Sequence, residues 1–68
     1  MKNFQQRLKA ERIASGLTQR EMAESLNITQ PSYIRYENGK AEPSLENLVK
    51  IAEIFDVSVD YLLGRAEI

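Results

Sequence analysis

Residues 17–42, LTQREMAESLNITQPSYIRYENGKAE, hold the side chains whose types and spacing could do chemistry, and that chemistry is hydrogen bonding and charge rather than bond breaking. The chain contains no cysteine and no histidine, which excludes disulfides, thiolate metal sites, zinc fingers and histidine acid/base catalysis. There is no glycine-rich phosphate loop, and the carboxylates scatter along solvent faces, so an enzyme is not expected. Nor is a metal, a cofactor or a small-molecule ligand. Two short helical patterns must position what remains.

The first opens on Thr18-Gln19-Arg20-Glu21, a capping box. The Thr18 hydroxyl is expected to accept from the Glu21 amide while the Glu21 side chain reaches back to the Thr18 amide. Met22, Ala23 and Leu26 then share one face, and the helix ends near Leu26 or Asn27. The second begins at Thr29, an N-cap residue type, carries Pro31 in its first turn and stops at Asn38-Gly39. About three residues separate the two patterns. That is helix-turn-helix geometry, two helices crossing steeply at a short turn.

The surrounding elements follow from the same signals. Residues 4–15 read as a helix with Phe4, Leu8 and Ala14 on a partial apolar stripe, ended by Gly16. Arg12 lies on the inward side of that helix and requires a partner, because an unpaired buried charge is very costly. Ser44 caps a fourth helix in which Leu45, Leu48, Ile51, Ala52 and Phe55 recur at three- and four-residue spacing, the cleanest amphipathic pattern in the chain. Asp56-Val57 makes a short turn. Ser58 caps a last helix over residues 59–63, stopped by Gly64, with the tail 65–68 expected to fray. The reading is one all-α domain of five helices over residues 1–68.

At 68 residues, burial is marginal and each large apolar side chain matters. A hydrophobic content of 43% still sets the chain apart from disordered segments. No apolar run approaches the roughly 18 residues needed to span a bilayer, and Met1-Lys2-Asn3-Phe4 leads into an amphipathic helix without a signal-peptide core. A cytoplasmic location and no membrane partner are the default expectations. The net charge of −1 argues at first against a nucleic-acid partner. Its distribution argues otherwise: residues 1–40 carry seven Lys and Arg against four Glu, a balance of +3, and residues 41–68 carry two against six acids, a balance of −4. A positive helix-turn-helix half with a negative half turned away fits a DNA reader that binds one way round; the alternative is that both are ordinary solvated charges.

This order of features resembles the Cro/repressor-type (XRE-like) helix-turn-helix family of phage and bacterial transcriptional regulators, over nearly the whole chain. The residues that carry the resemblance are Arg12, Gly16-Leu17-Thr18-Gln19, Ala23, Leu26-Asn27-Ile28-Thr29, Tyr36-Glu37-Asn38-Gly39, Pro43-Ser44-Leu45, and Val57 through Gly64. It implies a sequence-specific regulator of double-stranded DNA, expected to be a repressor, with the helix of residues 30–38 in the major groove and the preceding helix across it. A protein-interaction module on the same fold is the alternative. The resemblance also supplies Glu37 as the partner of Arg12, a structural ion pair rather than a DNA contact.

At about 100° per residue, Tyr33, Tyr36 and Glu37 lie on the inward side of that helix, and Pro31, Ile34, Arg35 and Asn38 on the other. Gln30 and Arg35 match base-reading positions of the family. Glutamine can pair bidentately with adenine N6 and N7, and arginine with guanine O6 and N7, or it falls back to a phosphate. Pro31 and Ile34 depart from the commoner pattern, being apolar where hydrogen-bonding residues are usual. They are expected to touch thymine methyls, or Pro31 is there only as a helix-start residue. Phosphate contacts are expected from Gln19, Arg20, Ser32, Asn38 and Lys40. Tyr33 reads as a core residue with a wet hydroxyl tip. A symmetric dimer through Val59, Leu62 and Leu63 would bind a near-palindromic operator with half-sites about one DNA turn apart.

Overall fold

The computed structural model describes residues 3–68 and contains five helices: α1 (Phe4–Ala14), α2 (Gln19–Ser25), α3 (Gln30–Glu37), α4 (Leu45–Phe55) and α5 (Val59–Leu62). Met1 and Lys2, the latter counted in the positive half of the sequence, lie outside the described residues.

Hydroxyl side chains start four of the helices. Thr18 accepts from the Glu21 amide at 3.0 Å, and Glu21 accepts from the Thr18 amide at 2.9 Å, so the capping box is complete. Thr29, Ser44 and Ser58 accept from the amides of Ser32, Asn47 and Tyr61, satisfying donors that the first turn of a helix leaves without partners. The helix ends share one device as well. In all five, a residue in left-handed conformation (Gly16, Asn27, Gly39, Asp56 or Gly64) lets the next amide reach back five residues to a free carbonyl, for example Ile28 to Ala23 at 3.0 Å and Val57 to Ala52 at 3.0 Å. Asn27 and Asp56 serve where glycine serves elsewhere, because a short polar side chain tolerates this conformation best among non-glycine residues. Asn27 makes the turn between α2 and α3 this tight.

The core gathers Phe4 and Leu8 from α1, Met22, Ala23 and Leu26 from the α2 region, Tyr33 and Tyr36 from α3, Leu48, Ile51 and Ala52 from α4, and Leu62 from α5. Two apolar residues expected in it are outside. Leu45 is 83% exposed: it occupies the first turn of α4, roughly 70° from the centre of the stripe formed by Leu48, Ile51, Ala52 and Phe55. Ala14, the last residue of α1, is also exposed, beyond the part of the helix that the other elements cover.

The tail is tied down where fraying was expected. One Arg7 nitrogen donates to the carbonyls of Tyr61 and Ala66, and its guanidinium lies 4.4 Å from the centre of the Tyr61 ring. The Tyr61 hydroxyl donates to Glu11 at 3.0 Å, and the Ser58 hydroxyl to the Ile68 carbonyl at 3.1 Å. These partners are 10 to 59 residues apart in sequence, so the arrangement was invisible to local pattern.

Candidate nucleic-acid interface

The inward side of α3 is held by one carboxylate. Glu37 accepts from Arg12 Nε at 2.6 Å and from Arg12 Nη2 at 3.3 Å, from Gln19 Nε2 at 3.2 Å, and from the Tyr33 hydroxyl. The side chains of Arg12 and Glu37 are 12% and 5% exposed. A third Arg12 donor, Nη1, reaches the Leu17 carbonyl at 2.9 Å. Glu37 therefore joins α1, α2 and α3, and Arg12 pins the connection between the first two. The ion pair implied by the resemblance is present, in the forked geometry that suits a guanidinium and a carboxylate.

The titrations follow from these contacts. Burial alone would push the Glu37 carboxyl up, but hydrogen bonds from Arg12, Tyr33 and Gln19 outweigh it and hold the group below its usual range. Its hydrogen bond to Glu37 raises Arg12, so the guanidinium stays charged. Burial first, and then the bond to Glu37, push the Tyr33 phenol far above its ordinary value. Tyr33 has no wet tip: it is fully buried and its hydroxyl is committed to Glu37, which corrects the expectation drawn from its amphipathic type.

Tyr36 completes the inward side. Its ring meets that of Tyr33 edge-on with centroids 6.2 Å apart, and its hydroxyl accepts from Asn47 Nδ2 of α4 at 3.3 Å. On the opposite side, Gln30, Pro31, Arg35 and Asn38 are exposed and Ile34 is half-buried. The helix therefore presents a strip in which apolar Pro31 and Ile34, three residues apart, lie between amide and guanidinium groups.

The residues expected on phosphate differ in freedom. Gln19 is half-buried and spends one amide hydrogen on Glu37, leaving the second available. Arg20 is 77% exposed and lies 3.7 Å from Glu24 on the next turn. Ser32 accepts from the Thr29 hydroxyl at 2.9 Å and keeps its own hydroxyl hydrogen. Asn38 turns its oxygen to the Lys40 amide at 3.1 Å, which leaves its NH₂ group and the Lys40 ammonium outward. The bond from Gln19 to Glu37 carries no sequence signal, since nothing local links positions 19 and 37.

One expected interface residue is misplaced. Leu62 is fully buried in the protomer's own core and cannot supply dimer surface. A helix of four residues must spend its one fully buried side chain, here at its last position, on holding itself to the domain. Val59 and Leu63 are half-buried against the core and keep part of their surface.

A capped helix carried on a four-residue turn, locked on one side and exposed on the other, defines the helix-turn-helix class of domain. The chain belongs to the helix-turn-helix family, whose model matches residues 8–62. It is 48% identical over 60 residues to the uncharacterized HTH-type transcriptional regulator YqaE of Bacillus subtilis, covering 88% of this chain and 52% of that protein. It is 44% identical over 62 residues to the cryptic phage CTXphi transcriptional repressor RstR of Vibrio cholerae, covering 91% and 55%. The chain thus spans about half the length of the curated relatives it matches. Among solved structures it is similar to the P22 c2 repressor crystallised with a synthetic operator, with a TM-score of 0.85 and 24% identity over 93% of this chain and 96% of that one. At that identity the likeness establishes the fold.

Proposed function

We propose that this chain is the DNA-reading domain of a sequence-specific transcriptional repressor, with α3 in the major groove of double-stranded DNA. The observation that carries this is the two-sidedness of α3: Tyr33, Tyr36 and Glu37 are locked inward, while Gln30, Pro31 and Arg35 stand exposed. A helix is about 10–12 Å across with its side chains, and the major groove of B-DNA is about 12 Å wide, so the exposed strip can reach base edges. Gln30 pairs with adenine, Arg35 with guanine, and Pro31 with Ile34 meets thymine methyls. Gln19, Arg20, Ser32, Asn38 and Lys40 seat the domain on phosphates and carry no sequence information. The relative RstR, named as a transcriptional repressor, and the operator-bound P22 c2 repressor support the direction of this reading.

Each copy carries one exposed helix α3, so one copy reads one half-site. A second copy, meeting the first through Val59 and Leu63, reads the other half of a near-palindromic operator. Selection of binding sites from random duplex DNA by the whole chain tests the proposal. The expected product is a near-palindromic motif with half-sites about one turn apart and affinity that falls steeply with salt. No enriched motif, together with binding indifferent to salt, would instead assign the fold to protein interaction.

A further inference from the structure

Away from α2 and α3, the middle of α1, the end of α4, the start of α5 and the tail enclose an open groove of about 610 Å³. Val57, Tyr61 and Ile68 give it apolar walls, and Glu11, Asp56 and Glu67 stand on its rim without a basic residue in the lining. Part of its wall is tied by the bonds already described. Tyr61 is tied to Glu11, Ser58 is tied to Ile68, and Arg7 holds the tail at Ala66. Ordering the tied part in advance lowers what a ligand must order on binding.

We propose that this groove is a docking site for a basic segment of a partner protein, one in which an apolar side chain is flanked by Lys or Arg. The charge on the page selects that occupant. DNA is excluded because the rim repels phosphate. A two-fold contact with a second copy of this chain is excluded because it would set the acidic rim against itself. The groove also stands apart from the surface proposed for dimer contact. Tyr61 follows Val59 by two helical positions, about 200° around α5, and so projects from the opposite side. A repressor seated on DNA through α3 would keep the groove open to a partner.

The test is an NMR titration of the isotope-labelled whole chain with the peptide Lys-Leu-Arg-Leu-Lys, capped at both ends. Saturable shifts confined to Val57, Ser58, Tyr61, Glu67 and Ile68 are expected. The combined variant Glu11→Gln, Asp56→Asn and Glu67→Gln is expected to weaken the peptide at least tenfold while leaving its remaining spectrum and its DNA affinity unchanged. Glutamine at position 11 can still accept the Tyr61 hydroxyl, so the groove keeps its shape. Three results would overturn the proposal: equal shifts at Glu46, Glu53 and Asp60, equal binding of Lys-Gly-Arg-Gly-Lys, or undiminished binding to the triple variant. Spermine producing the same saturable shifts as the peptide would also overturn it, by assigning the groove to polyamines.

Discussion

Glu37 shows how one side chain can hold three helices together and, on the proposed reading, set the angle at which α3 is presented. Its carboxylate is 5% exposed and satisfied by Arg12, Gln19 and Tyr33, so removing it strands a buried guanidinium and frees α1 from α3. Glu37→Ala is expected to cost about 3–5 kcal/mol in chemical denaturation, with DNA binding lost alongside. Unchanged stability with lost binding would instead place Glu37 on the DNA. The pH dependence follows from the sign of the shift. A carboxyl lowered in the folded state stabilises above its unfolded value of about 4.5 and loses that contribution as pH falls through the folded value. Melting temperature should therefore drop more steeply below pH 4.5 for the native chain than for Glu37→Gln. On the exposed side of α3, Gln30→Ala and Arg35→Ala should each cost about 1–3 kcal/mol of operator binding and relax preference at one base pair. Lys40→Ala should weaken all sequences similarly and flatten the salt dependence. Pro31 and Ile34 can be tested from the DNA side. Replacing thymine by uracil removes only the methyl group, so affinity should fall at the position they contact and nowhere else in the half-site.

At the scale of elements, the helices are delimited by chemistry written in the sequence and placed by chemistry that is not. Thr18, Thr29, Ser44 and Ser58 were legible as caps because each precedes a helical pattern and has an amide three residues on to satisfy. Ser44→Ala should cost about 1 kcal/mol in denaturation, with the base preference unchanged, because it touches the start of α4 and not the exposed strip of α3. The stripe of α4 was legible too, except at its first residue. Leu45 shares the period of Leu48 and Ile51 but lies where α4 has no neighbour to bury it. Leu45→Gln should be close to neutral, whereas Leu48→Ala should cost about 2–5 kcal/mol. A loss of several kcal/mol at position 45 would mean that something covers that side chain in solution.

For the molecule as a whole, the polarised charge of the sequence gains a physical meaning only through the fold. The exposed Arg20, Arg35 and Lys40 belong to the helix-turn-helix and the turn after it, and Glu11, Asp56 and Glu67 to the groove between α1, α5 and the tail. On the proposed reading of one half-site per copy, inserting five base pairs between half-sites rotates them to opposite sides of the duplex. That change should abolish cooperative binding by two copies, measured on paired against single half-sites, while ten inserted base pairs restore the phase.

The sequence by itself determined the number of helices, the hydroxyl caps of four of them, the short turn and the inward and outward sides of α3, because these rest on residue type and on a period of 3.6 residues, while the family rested on resemblance. Tertiary structure decided what depends on who the neighbour is. Gln19 and the Tyr33 hydroxyl both turn to Glu37, Arg7 reaches 59 residues along the chain to hold Ala66, and Leu62 is spent on the core of its own domain. Local pattern says which side of a helix is apolar or polar. It does not say whether a half-turn of that side meets the core, a buried carboxylate or open water, and in a domain this small a single misplaced neighbour moves a residue from interface to core.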